Sequence, residues 1–160
     1  MLKEKQIMVT LETDVFKARR LGRDMAYTLG FDEISVNEIE ICVSELATNL
    51  VRHRAKNGMI ILIPLNVCGR IGIEVRSEDE GPGIKDVGWA MKEGESTAGG
   101  LGIGLPAVKR LMDEFSLESE VERGTTVVAR KWTSREASRC TFLSSRNQGQ
   151  GRISRVTPIS

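Results

Sequence analysis

Two apolar runs, MIILIPLNV at residues 59–67 and IGIEVRS at residues 71–77, are separated by only Cys68, Gly69 and Arg70. So short a connection between two strand-like runs predicts a hairpin, which commits the middle of the chain to adjacent antiparallel strands. Pro64 has no amide proton and predicts an edge position or a bulge in the first of them. Ahead of the hairpin, Ile7, Val9 and Leu11 alternate with polar residues and predict a strand with one buried face. Residues 14–29 predict a helix with Asp14 near its cap, a stripe of Val15, Ala18, Leu21, Met25 and Leu29, and Gly30 at its exit. Ser35 and Glu38 form a capping-box pair announcing a second helix to about Arg54. After the hairpin come a short helical signal at 86–93, a small and polar run from Gly94 to Gly100, and a helix from Pro106 to Phe115. Two last strands, about 116–121 and 125–132, are joined through Glu122, Arg123 and Gly124. This order predicts an α/β two-layer sandwich and not a βαβ repeat.

At 160 residues the chain suits one domain with a real core and, by expectation, one site. The formal charge of +1 is unevenly spread: residues 133–160 hold five arginines against one acid, leaving a formal −3 on residues 1–132. The folded part, expected over 1–132, therefore offers no basic nucleic-acid face, and the tail lacks the interleaved aromatics that base stacking needs. Residues 133–160, rich in serine, arginine, glycine and glutamine, are expected to be disordered. Cys42, Cys68 and Cys140 are odd in number, with no CxxC spacing and no second histidine to complete a metal set, which predicts reduced thiols. No signal segment or membrane-length apolar run is read, so a cytoplasmic protein without a membrane partner is expected.

Three stretches carry chemistry. On the second helix Ile39, Val43, Leu46 and Leu50 share an apolar face, while Glu45, Asn49 and His53 stand four apart along its border, roughly 80° away. A solvated edge stripe would look the same, so these residues alone decide little. The segment DEGPGI, residues 79–84, follows a strand, and Asp79 just before the Gly81-Pro82-Gly83 turn is placed to accept a hydrogen bond from a ligand amine. An ordinary turn uses the same residue types. The segment GGLGIGLPAVKRLMDEF, residues 99–115, leads four glycines straight into a helix, and bare N–H groups there form an anion cradle suited to a phosphate chain. A dinucleotide fingerprint fits poorly because no strand precedes it, and the GK[ST] of a P-loop is missing.

In this order the set Glu45-x3-Asn49, Asp79-x-Gly81-x-Gly83, Gly100-x-Gly102-x-Gly104 and Gly124-Thr125-Thr126 resembles the ATP site of the GHKL superfamily over residues 5–132. The lid GESTAGGLGIGL and the closing GLPAVKRLMDEF and GTTVVARKW most resemble the RsbT-type serine/threonine kinases of bacterial stressosomes. The resemblance implies a Bergerat-type fold, a mixed sheet with helices packed on one face. It implies that Asn49 holds Mg²⁺ against the phosphates of ATP and that Asp79 accepts the adenine amine. Gly81, Gly83 and Ile84 would form the turn beneath the base. Gly100, Leu101, Gly102, Ile103, Gly104 and Leu105 would form the phosphate loop, with residues 85–99 as lid. Thr125 or Thr126 would stand near adenine, the choice left open. Glu45 would be the general base acting on a serine hydroxyl, and Arg52 and His53 sit where the family often carries a basic residue. The implied partners are STAS-domain proteins, the scaffold and antagonist of a stressosome, and a downstream output protein.

Two other functions share these motifs: an anti-sigma factor that phosphorylates an anti-anti-sigma factor, and a non-catalytic ATP-dependent switch. A histidine-kinase reading needs a phosphoacceptor helix, and the single histidine, His53, lies in the ATP-site helix itself.

Overall fold

The computed structural model describes residues 1–92, 104–134 and 157–158. The hairpin forms as expected: β2 (Met59–Val67) and β3 (Arg70–Asp79) pair antiparallel from Met59↔Glu78 to Val67↔Arg70. Their two-residue turn has positive φ at both Cys68 (53°) and Gly69 (82°), the type I′ geometry that matches the twist of the flanking strands. β1 (Lys5–Met8) pairs with β2 only as far as Leu62. Pro64 lies past that point, where β2 is an edge and a missing amide proton costs no ladder bond.

The helices α1 (Glu12–Leu29) and α2 (Glu33–Arg52) cover one face of the sheet. The stripe read on α2 is its core face: Ile39, Val43, Leu46 and Leu50 are all at most 4% exposed. Burying each such side chain is worth about 1.5–3 kcal/mol. They meet Ile60, Leu62, Ile73, Val75, Val127 and Ala129 from the sheet. Both helix starts differ in detail from expectation. Leu11 is exposed and ends the extended segment as the N-cap of α1, with the Asp14 carboxylate accepting the Thr10 and Leu11 amides at 3.0 Å. The cap of α2 is Asp32, which accepts the Ser35 amide at 2.7 Å, and not Ser35 itself.

The remaining elements are a single turn, α3 (Val87–Ala90), then α4 (Gly104–Leu111), β4 (Glu114–Glu120), β5 (Gly124–Trp132) and the two-residue β6 (Thr157–Pro158). Helix α4 stops at Leu111, four residues earlier than its amphipathic pattern predicts. Phe115 satisfies a helical period, yet it pairs with Ala129 in the sheet and remains buried there.

Strand order is β1-β2-β3-β5-β4-β6, and among the described residues every ladder is antiparallel. The two-layer α/β sandwich stands, but the expected mixed sheet is corrected. β3 and β4 do run in the same direction, connected through α3 and α4, yet β5 inserts between them and converts a would-be parallel contact into two antiparallel ones. Of the tail, Thr157 and Pro158 pair with Phe115 and Glu114 on the outer edge of β4; residues 135–156 lie outside the described part.

Candidate functional site

Past Lys131, the inward positions on the helix-facing side of the sheet are apolar except Ser77, up to the end where β3 finishes and β5 begins. On β3 they read Ile73, Val75, Ser77, Asp79; on β5, Ala129, Val127, Thr125; on β4, Phe115, Leu117, Ser119. The register aligns Asp79 with Thr125 and Thr125 with Ser119, so one polar row crosses three strands at the rim of the core. Thr126 pairs with Glu78 and shares the opposite face with Val128 and Arg130. Only Thr125, of the two threonines, faces the helical layer.

The DEGPGI turn is held against this row from several sides. Asp79 Oδ1 accepts the Gly81 amide at 2.8 Å, leaving Oδ2 without a protein donor among the described residues. The Glu80 amide donates to Lys56 O at 2.8 Å, and Asn57 Nδ2 donates to the Glu80 carboxylate at 2.7 Å. The Glu122 amide donates to Pro82 O at 2.8 Å, and the Ile84 amide donates to Ser119 Oγ at 2.7 Å. Two glycines make the close approach possible. A Cβ on Gly83, whose φ is +74°, would fall 2.4 Å from Glu120 O, and one on Gly124 would fall 2.0 Å from Asp79 O.

On α2, Glu45 and Asn49 are both half-buried and stand one helical turn apart. Glu45 Oε2 accepts the Gly104 amide at 3.1 Å, so this carboxylate caps the N-terminus of α4. The Asn49 carboxamide has no hydrogen-bond partner among the described residues. Leu105 is buried behind Gly104 and anchors the first turn of α4 in the core. Gly100, Leu101, Gly102 and Ile103, with residues 93–99 of the expected lid, lie outside the described residues. Arg52 and His53 are exposed at the end of α2, where His53 is the C-cap.

Helix α4 is also held at its other end. Lys131, 7% exposed, donates from Nζ to Leu111 O at 2.7 Å and pairs with Glu38 at 2.6 Å. Glu38, read from sequence as half of a capping box, thus links α2 to β5 and α4. Ser119 was not singled out from sequence either. Its signal is a break in alternation: after Phe115 and Leu117 the next inward position should be apolar, and it is a serine.

Among the described residues no group of three or more His, Cys, Asp or Glu side chains could hold a metal ion. A cation at Asn49 would therefore have to share its coordination with a ligand's own oxygens, which is the habit of Mg²⁺ on nucleotide phosphates. The unpartnered amide oxygen of Asn49 fits that role. Among the same residues no helix is long and apolar enough to cross a membrane.

Residues 8–131 match the family described as the histidine kinase-like ATPase domain. The chain is 44% identical to the serine/threonine-protein kinase RsbT of Bacillus subtilis over 126 residues, 79% of this chain and 94% of the relative. It is 34% identical to the anti-sigma F factor of Geobacillus kaustophilus over 68% of this chain and 76% of that one. A crystal structure of the RsbU and RsbW domains of a Mycobacterium tuberculosis protein shares the fold, with a TM-score of 0.59 at 19% identity. That alignment covers 88% of this chain and 35% of the other. The chain belongs to the histidine kinase-like ATPase domain family.

Proposed function

We propose that this protein is a cytoplasmic serine/threonine kinase that transfers the γ-phosphoryl group of ATP to a hydroxyl on a STAS-domain partner, and so switches partners in a stress-response circuit. The observation that carries the reading is a pair of polar sets, one in each layer: the Asp79–Thr125–Ser119 row on the sheet, and Glu45, Asn49 and Gly104 on the helices. The 44% identity to a relative named serine/threonine-protein kinase supports the same activity.

In this reading Asp79 Oδ2 accepts the amine of adenine, Gly81, Gly83 and Ile84 form the floor of the pocket, and Thr125 is the threonine that meets the base. Gly104 and Leu105, with the glycines and apolar residues at 100–103, receive the phosphates at the start of α4. Asn49 helps to hold Mg²⁺, which when bound neutralises charge on the phosphate oxygens. Glu45 accepts the proton of the partner's hydroxyl as its oxygen bonds to the γ-phosphorus and the bond to the β–γ bridging oxygen breaks, releasing ADP. Little covalent work is asked of the protein, since phosphoryl transfer is mainly positioning and electrostatic stabilisation.

Glu45 first has to give up the Gly104 amide, which both it and an incoming phosphate would accept. The same carboxylate then serves as cap without nucleotide and as base with it. The 34% identity to an anti-sigma F factor favours one second reading, a kinase that also binds a sigma factor.

The test is labelling. Radiolabelled ATP should mark a serine or threonine of a STAS-domain protein mixed with the wild-type chain, and Asn49→Ala should lose both tight Mg-ATP binding and labelling. Asp79→Asn should weaken ATP binding through loss of a charged acceptor worth about 1.5–3 kcal/mol. Calorimetry that finds ATP binding unchanged in both variants would remove the site from these residues.

A further inference from the structure

We propose that Ser119 is a positioning residue for nucleobase recognition: it fixes the hydroxyl of Thr125 as a hydrogen-bond donor towards the ligand, so that the row selects a purine with an amine beside an acceptor ring nitrogen. The inference rests on the ATP reading above and deepens it.

A serine hydroxyl has one proton and two lone pairs. The Ile84 amide occupies one lone pair of Ser119 Oγ at 2.7 Å. Ser119 then has two oxygen neighbours, Thr125 Oγ1 at 2.8 Å and the Gly124 carbonyl at 3.3 Å. The carbonyl can only accept, whereas between the two hydroxyls either oxygen can be the donor. Two arrangements satisfy the distances. Ser119 donates to Gly124 O while Thr125 donates to Ser119, which turns lone pairs of Thr125 outward. Alternatively Ser119 donates to Thr125, which leaves the Thr125 proton free for a ligand.

The 2.8 Å contact is kept in both arrangements, and the second gives up only the 3.3 Å one in exchange for a Thr125 proton that a ligand can accept. Hydroxyl-to-oxygen hydrogen bonds cluster at 2.7–2.8 Å, and a 3.3 Å contact is weak. Little is lost when Ser119 abandons Gly124 O and gives its proton to Thr125. The ligand-facing pattern is then an acceptor, Asp79 Oδ2, beside a donor, the Thr125 hydroxyl. Its complement is a donor amine next to an acceptor ring nitrogen, as on the Watson–Crick edge of adenine.

Ser119 has a second effect through Ile84. Since its one oxygen receives the turn's amide and feeds Thr125, the DEGPGI turn and the threonine are fixed relative to each other. A serine at this inward position, where Phe115 and Leu117 precede it, is accounted for by this role and not by core packing.

The experiment measures binding of Mg-ATP and of 1-deaza-ATP, which keeps the amine and replaces the ring acceptor with CH, to the full chain by calorimetry. Wild type should prefer ATP by about 10-fold, the worth of one well-made hydrogen bond. Ser119→Ala should weaken ATP binding and bring the two nucleotides to within about 2-fold, and Ser119→Thr, which keeps the hydroxyl, should restore the preference. A merely structural serine would weaken both nucleotides alike and leave the ratio intact, and that result overturns the proposal. If Ser119→Ala does not fold, Thr125→Val removes the other hydroxyl at constant shape, and a wild-type ratio in that variant overturns it equally. Wild type binding neither nucleotide would refute the ATP reading itself, an outcome separate from either ratio.

Discussion

The two ends of α4 are both fastened by carboxylates of α2, and they are fastened differently. At the C-terminus the link is indirect: Glu38 holds Lys131 at 2.6 Å, and the buried ammonium donates to Leu111 O. Cation, anion and carbonyl satisfy one another, and a cation suits the negative end of a helix. At the N-terminus Glu45 reaches the Gly104 amide directly at 3.1 Å from a half-buried position. An anion suits that end, and any other anion would suit it as well. One end is a closed three-way contact, whereas the other is a contact that a phosphate can replace. The helix is thus anchored at one end and available at the other.

The largest expected effect tests the replaceable end. Glu45→Ala should slow labelling of a STAS-domain partner by about 10² to 10⁴, the usual worth of general-base help. Its melting temperature should fall only slightly, because solvent can reach the freed amide. Labelling at the wild-type rate would reduce Glu45 to a helix cap. Next in size is the anchored end. Lys131→Ala leaves the Glu38 carboxylate and Leu111 O without their donor and should cost about 2 kcal/mol, read as a lower denaturant midpoint at unchanged m-value.

A smaller loss is expected at the cap of α2, which sets the register of both carboxylates. Asp32→Ala should lower the melting temperature by a few degrees at neutral pH. The Ser35 amide, with its side chain second, holds the Asp32 carboxyl below its ordinary value of 3.8. A depressed folded value means that the contribution is complete above 3.8 and is lost as the pH falls through the lower folded value, so wild type and variant should converge in acid melts. The mildest change is at Glu45 itself. Glu45→Gln removes the competing anion at nearly constant shape and should bind Mg-ATP a few-fold more tightly than wild type in the absence of partner. Weaker binding would mean that Glu45 assists the phosphates and does not compete with them.

The sequence was legible where one physical rule acts alone. The α2 stripe, the hairpin and the Asp79 turn follow from periodicity and turn chemistry, and each stands where expected. It was illegible where a long-range partner overrides a local pattern. Glu38 fits a capping box with Ser35, but Lys131, nearly a hundred residues later, takes its carboxylate. Phe115 fits a helical period, yet Ala129 draws it into the sheet. Which of Thr125 and Thr126 faces the helical layer needed the β3–β5 register, which no local spacing reveals. Glu45 and Asn49 were correctly read as neighbours on one stripe, but the Glu45 link to Gly104 spans 59 residues and could come only from the fold.

The placement of β5 between β3 and β4 also has a consequence in time. Asp79, Ser119 and Thr125 come from three strands, and the middle strand of that row is the last of the three to be synthesised. A ribosome that has released β1 through β3 has made a hairpin and two helices but only one member of the row. Pairing β3 with β5 also requires closing the intervening segment, residues 80–123, a slow non-local step. Nucleotide-binding competence should therefore arrive in one late event, when β5 slots into its gap, and a chain truncated before residue 124 should have no ATP affinity to misuse.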